Sequence, residues 1–106
     1  MPQNRWRVPP VLALILLLTG GAPRAAQAAS DYERYLTAAV RLYEGLEYEQ
    51  ALAQLKRARR SVDSAHQDVT VSLYEGLIYS DMGRWARVRA AYKTALLLDP
   101  EAKLPV

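Results

Sequence analysis

Apolar side chains recur three and four residues apart in four stretches of the chain, which is the spacing of one face of an α-helix. The pattern predicts helices over residues 30–45, 47–61, 68–82 and 84–98. Short polar or glycine-containing segments separate them. No stretch alternates apolar and polar residues over the length of a β-strand. The pattern therefore predicts an all-α fold, in which short turns make the two helices of each pair antiparallel neighbours.

Capping and helix-breaking residues indicate where these helices begin and end. Ser30 and Glu33 have the capping-box spacing, in which a hydroxyl and a carboxylate satisfy free backbone N–H groups at a helix start. Residues 63–68 are polar and show no periodicity, so we predict a loop there. Gly83 tolerates the left-handed conformation that ends many helices. Pro100 disfavours helix at the residue before it and predicts the end of the last helix.

The two predicted helix pairs share a pattern of small and aromatic residues. The second pair carries the pattern as Gly76, Tyr79, Gly83, Trp85, Tyr92, Ala95 and Pro100. The first pair carries a weaker version as Tyr35, Ala39, Leu42, Tyr48, Ala51, Leu55 and Ala58. Tyr48 aligns with Trp85, and Ala58 aligns with Ala95. Both alignments give the same offset of 37 residues, so the chain contains an internal repeat.

This spacing resembles that of the tetratricopeptide (TPR) repeat, a 34-residue helix-turn-helix unit. The resemblance implies two repeats, at about residues 32–65 and 69–102, which stack as an α-solenoid that holds another protein. Ser72 and Val88 depart from the family pattern, which has tryptophan and alanine at these positions. A four-helix bundle with small residues in its seams is the alternative architecture.

The resemblance also implies a ligand groove lined by the first helix of each repeat. Carried over by register, its residues are Glu33, Leu36, Val40, Tyr43, Glu44, Thr70, Leu73, Leu77, Ser80 and Asp81. The groove has none of the lysine, arginine or asparagine residues with which TPR proteins hold the terminal carboxylate of a peptide. We expect it to accept an apolar helix or extended segment with a basic flank. The alternative is that these apolar side chains are simply buried.

Two repeats are fewer than the three that such arrays normally need for stability. The C-terminal segment, residues 96–106, is apolar and lacks a polar capping helix. Several exposed leucines would be costly for a domain whose total stability is about 5–15 kcal/mol. We therefore predict that the isolated mature chain self-associates or is only marginally folded. The missing neighbour is a second copy, a partner protein or sequence beyond Val106.

The first 28 residues have the organisation of a secretory signal. Two arginines precede an apolar run at residues 11–18, and residues 26–28 read Ala-Gln-Ala, the small-x-small pattern of a cleavage site. We predict that residues 1–28 are removed and that the mature domain, residues 29–106, is periplasmic or secreted and has no transmembrane span. The alternative is an uncleaved membrane anchor, but the apolar run is shorter than the ~20 residues that span a bilayer.

Charge and chemistry narrow the possible functions further. All eleven acidic residues and eleven of the fourteen basic ones follow residue 28, so the mature domain is neutral and we expect no nucleic acid partner. The chain has no cysteine and a single histidine, His66, which we place in a solvated loop. These residues cannot form a zinc site, and no nucleophile or phosphate-binding motif is present. We therefore predict no enzyme activity, no catalytic or metal-binding residue and no cofactor.

Residues 56–60 form the sharpest concentration of charge. On a helical wheel, Lys56, Arg57 and Arg60 point away from the apolar stripe, while Arg59 flanks it. We interpret Lys56, Arg57 and Arg60 as the solvated face of an amphipathic helix. The alternative is a basic face that binds an acidic partner or lipid head groups.

Taken together, these observations predict an exported, non-catalytic protein-interaction module or adaptor whose partner is a protein or peptide. Two alternatives remain open. One is a structural or assembly subunit whose groove is permanently filled by its own partner. The other is a protein whose basic face binds an anionic surface of the cell envelope.

Overall fold

Four α-helices make up the fold of residues 24–105, the part of the chain that the computed structural model describes. They are α1 (Arg24–Glu44), α2 (Tyr48–Arg60), α3 (Ala65–Asp81) and α4 (Trp85–Leu98). α1 packs along α2 and α3 packs along α4, while a smaller contact between α2 and α3 joins the two pairs. The prediction of an all-α fold built from two helical hairpins is confirmed, and no strand occurs within this range.

The start of α1 differs from the prediction. The helix begins at Arg24, whereas the capping box predicts a start at Ser30. The intervening residues are rich in alanine, which has the highest helix propensity, and include neither glycine nor proline, so the helix continues through the capping box. Residues 1–23 of the predicted signal segment lie outside the described residues. Its last five residues, 24–28, belong to α1.

The start of α3 also corrects a prediction. The helix begins at Ala65, so most of the predicted loop at residues 63–68 is helical. The hydroxyl of Ser64 accepts a hydrogen bond from the backbone N–H of Gln67 at 3.2 Å, which is the geometry of a helix N-cap. His66 therefore lies in the first turn of α3 rather than in a loop, and its side chain is exposed.

The two hairpin turns have the same backbone geometry at an offset of 37 residues. In the first turn, the N–H of Glu47 donates to the carbonyl of Leu42 at 2.8 Å; in the second, the N–H of Arg84 donates to the carbonyl of Tyr79 at 2.9 Å. The left-handed residues correspond too, since Leu46 has a φ of 63° and Gly83 has a φ of 73°. The left-handed conformation predicted for Gly83 is confirmed. The matching turns support the repeat offset that the sequence indicates.

The larger hydrophobic core lies where α1, α2 and α3 meet. Its buried side chains are Tyr32, Ala39, Ala51, Leu55, Ala58, Val71 and Ile78. A smaller cluster of Val69, Leu73 and Ala95 lies between α3 and α4. The alanines keep the helix faces thin, so the backbones approach closely. Because the larger core takes residues from both hairpins, it holds them together as one unit.

Candidate functional site

Helices α1 and α3, which provide the predicted groove, lie side by side. The hydroxyl of Tyr43 near the end of α1 donates to Oδ2 of Asp81 at the end of α3, at 2.9 Å. Towards the other end of the pair, the hydroxyl of Tyr32 donates to the carbonyl of Gln67 at 3.4 Å. The contacts follow the same chain direction in both helices, from Tyr32 to Tyr43 in α1 and from Gln67 to Asp81 in α3, so the two helices run parallel. This surface therefore combines side chains from both hairpins.

The predicted groove residues fall into three groups by exposure. Half-buried residues are Leu36, Val40, Tyr43, Thr70, Leu77 and Ser80. Exposed residues are Glu33, Glu44 and Asp81, all of them acidic. Leu73 is buried against Val69 and Ala95 in the cluster between α3 and α4. This burial is what the alternative interpretation of the groove leucines, that they are core residues, predicts. We use the name α1/α3 surface for Leu36, Val40, Tyr43, Leu77 and the three exposed acids.

The negative charge of Asp81 shapes the chemistry at one end of the α1/α3 surface. Burial, together with the hydrogen bond and charge of Asp81, raises the pKa of Tyr43 from 10.0 to about 12. Burial, and then the charge of Asp81, raises the pKa of Tyr92 on α4 as well. Asp81 thus lies near tyrosines from two other helices. The arrangement keeps both phenols protonated and presents a carboxylate beside aromatic rings, which suits a cationic side chain.

Replacing Tyr43 with phenylalanine should lower the free energy of unfolding by about 1 kcal/mol near neutral pH, because an exposed hydrogen bond to a carboxylate is lost. The folded pKa lies above the value of 10.0 in the unfolded chain, so the contribution of Tyr43 to stability is complete below pH 10 and is lost as the pH rises through about 12. Urea denaturation from pH 8 to pH 12 should therefore show a smaller alkaline decline for Tyr43→Phe than for the unmodified chain.

The control for this experiment is Tyr35→Phe, which removes a hydroxyl from the same helix. An alkaline decline that is as steep in Tyr43→Phe as in the unmodified chain would contradict the assignment. The same result would mean that the contact with Asp81 does not hold α1 against α3.

Arg59 is a structurally important residue, although its position in the sequence indicates only the edge of the apolar stripe. Its guanidinium forms ion pairs with Asp68 and Glu75 of α3, and it donates to the hydroxyl of Ser72 at 3.1 Å. Ser72 is fully buried and occupies the position where the TPR pattern has tryptophan. The signal in the sequence was the spacing of Asp68, Ser72 and Glu75, which places them on one face of α3.

The predicted basic face has a different environment from that of Arg59. Lys56, Arg57 and Arg60 are all exposed, as expected of a solvated face. Within residues 24–105, no group of three potential ligands from histidine, cysteine, aspartate and glutamate is placed to hold a metal ion. In the same range, no helix combines the length and the apolar character needed to cross a membrane.

The chain matches no family model, no curated protein and no solved structure. Its class is therefore defined by architecture: within residues 24–105 it is an all-α protein of two stacked helical hairpins, with the layout of a short solenoid. The resemblance to TPR repeats remains a prediction from the spacing of small and aromatic residues.

Proposed function

We propose that this protein is an exported, non-catalytic interaction module of the TPR type, which binds a protein segment on the α1/α3 surface. The observation that carries the proposal is the parallel placement of α1 and α3, joined by Tyr43 and Asp81. This placement leaves Leu36, Val40 and Leu77 half-buried beside exposed acids. A surface of that composition suits an apolar segment with a basic flank.

Selection of a random peptide library on the purified chain tests this proposal. We expect the enriched peptides that bind the α1/α3 surface to combine apolar residues with lysine or arginine. Leu77→Asp and Asp81→Lys should each weaken binding of an enriched peptide by about tenfold or more, because one places a charge on the apolar strip and the other reverses the rim charge. The readout is the dissociation constant, measured by fluorescence anisotropy.

Arg57→Glu provides a matched control, because it reverses an exposed charge on α2, away from the α1/α3 surface. It should leave the affinity unchanged. Peptides that bind Leu77→Asp and Asp81→Lys as tightly as the unmodified chain would contradict the proposal. The alternative function, a basic face that binds an anionic surface, is tested with the double variant Arg57→Glu with Arg60→Glu. This alternative predicts that the double variant no longer associates with anionic vesicles.

The alternative of a permanently filled groove also predicts a different result. A structural subunit would hold its partner without measurable exchange, whereas a module of the proposed kind binds and releases an added peptide.

The export part of the proposal predicts a mature N-terminus at Ala29, since residues 26–28 have the cleavage pattern. N-terminal sequencing of the protein recovered from the cell envelope or medium checks it, and an intact Met1 would argue for an anchor.

A further inference from the structure

The internal repeat shows which part of α4 corresponds to the surface of α2 that α3 covers. At the offset of 37 residues, Leu55 of α2 corresponds to Tyr92, and Arg59 corresponds to Leu96. Leu55 is fully buried in the core that α3 completes, and Arg59 is held by side chains of α3. The position of Leu96 therefore marks a helix-packing surface in the repeat. Lys93 and Leu97, at the edge of that surface, correspond to the exposed residues Lys56 and Arg60 of α2.

The ring of Tyr92 already lies against Gly76 of α3. No helix among residues 24–105 covers the side of α4 that carries Leu96 and Leu97. Leu96 is 49 % exposed and Leu97 is 75 % exposed. A shallow depression of about 430 Å³ runs along the helix between them and Arg89. Its lining residues are Val88, Arg89, Tyr92, Lys93, Leu96 and Leu97. We call this set the α4 strip.

The charges on the α4 strip are both positive. Arg89 and Lys93 are exposed, one helical turn apart, and neither forms an ion pair with another described residue. On α2, the covering helix brings its own carboxylates, since Asp68 and Glu75 of α3 approach Arg59. A helix that covers the α4 strip in the same way would gain from carboxylates beside its apolar face.

A second copy of the chain is a poor occupant on charge grounds. Its α1 would take the place that α3 takes against α2. At the same offset, Val71 and Ile78 of α3 correspond to Arg34 and Arg41 of α1. Both arginines are exposed. Asp31 takes the place of Asp68 but already pairs with Arg34, and Ala38 takes the place of Glu75, so stacking would bring a net positive charge against the positive α4 strip. Like charges at an interface oppose association, so a partner protein suits the α4 strip better than the second copy that the sequence also allows.

We infer that the α4 strip is a second docking site, which binds an amphipathic helix of another protein with carboxylates beside its apolar face. This site shares no residue with the α1/α3 surface, although Asp81 of that surface lies near Tyr92 of the strip, and the exposed charges of the two surfaces are opposite. The α1/α3 surface suits a partner with basic flanks, whereas the α4 strip suits an acidic one. One chain therefore has surfaces for two partners of different composition.

Two stapled helical peptides with the same apolar residues test this inference on the full chain. One peptide has glutamates flanking the apolar face, and the other has lysines at those positions. We expect the glutamate peptide to bind about tenfold more tightly, and the double variant Arg89→Glu with Lys93→Glu to reverse the preference. Leu97→Asp should weaken binding of both peptides. Circular dichroism checks that the variants keep their helix content.

The matched control is Arg57→Glu with Arg60→Glu, which reverses two charges on α2 and should leave both affinities unchanged. Equal affinity for the two peptides, or binding of neither, would overturn the inference. A second result would also overturn the inference. If sedimentation shows self-association that Leu97→Asp abolishes and that the glutamate peptide does not compete with, the occupant of the α4 strip is a second copy of the chain. Failure at the α1/α3 surface would leave this result unaffected, because the two tests use different peptides and different substitutions in the sites themselves.

Discussion

Replacing Arg59 with alanine should lower the free energy of unfolding by about 2 kcal/mol, one of the largest losses we expect from a single substitution. Arg59 pairs with Asp68 and Glu75 and donates to Ser72. Its removal leaves two carboxylates facing each other and a buried hydroxyl without its donor. Breaking a fully buried ion pair costs about 3–5 kcal/mol. We expect less here because the side chain of Arg59 is 34 % exposed and water screens the charges.

Urea denaturation of three variants makes this prediction sharper. Arg59→Lys keeps the charge but cannot reach three acceptors in the planar geometry of a guanidinium, so its loss should be intermediate. Arg57→Ala removes an exposed arginine from the same helix and should change stability by less than about 0.5 kcal/mol. Equal losses in Arg57→Ala and Arg59→Ala would show that the ion pairs do not hold α2 against α3.

Replacing Gly76 with alanine should also lower the free energy of unfolding by about 2 kcal/mol. Alanine in the middle of a helix normally stabilises it relative to glycine by about 1 kcal/mol. A Cβ at Gly76 would, however, lie 2.0 Å from Cε1 and 2.5 Å from Cδ1 of Tyr92. The ring of Tyr92 would have to move, and the contact between α3 and α4 would open.

A double variant separates the steric effect from helix propensity. In a chain that already contains Tyr92→Ala, the ring is absent and Gly76→Ala should raise stability by up to about 1 kcal/mol. The sign of the effect of Gly76→Ala should therefore reverse between the two backgrounds, as measured by urea denaturation. A loss of equal size in both backgrounds would show that the contact with Tyr92 is not the cause.

The helix boundaries that were predicted well are those with local signals. The sequence places α2 and α4 within one residue at each end, because a proline, a glycine and clear apolar periodicity define them. The predicted starts of α1 and α3 were wrong because these segments lack such signals. Alanine-rich and polar first turns carry no apolar periodicity, so a helix that continues through them leaves no pattern to detect.

The residues of the predicted groove do not all have the environment that periodicity alone assigns to them. Leu73 and Leu77 lie one helical turn apart on α3, and the periodicity gives both the same role. The structure buries Leu73 in the cluster between α3 and α4, while Leu77 stays half-buried. The difference depends on how α3 crosses its neighbours, which is a property of tertiary packing. The pairing of Tyr43 with Asp81 and the role of Arg59 depend on the same crossing.

The larger core has a consequence for how the chain folds. Val71 and Ile78 belong to α3, yet they are buried among residues of α1 and α2. During synthesis the first hairpin emerges from the ribosome before these two side chains do, so it cannot complete its core alone. The second hairpin in turn depends on α2 for the partner of its buried Ser72. We therefore expect the chain to unfold in a single cooperative transition rather than hairpin by hairpin.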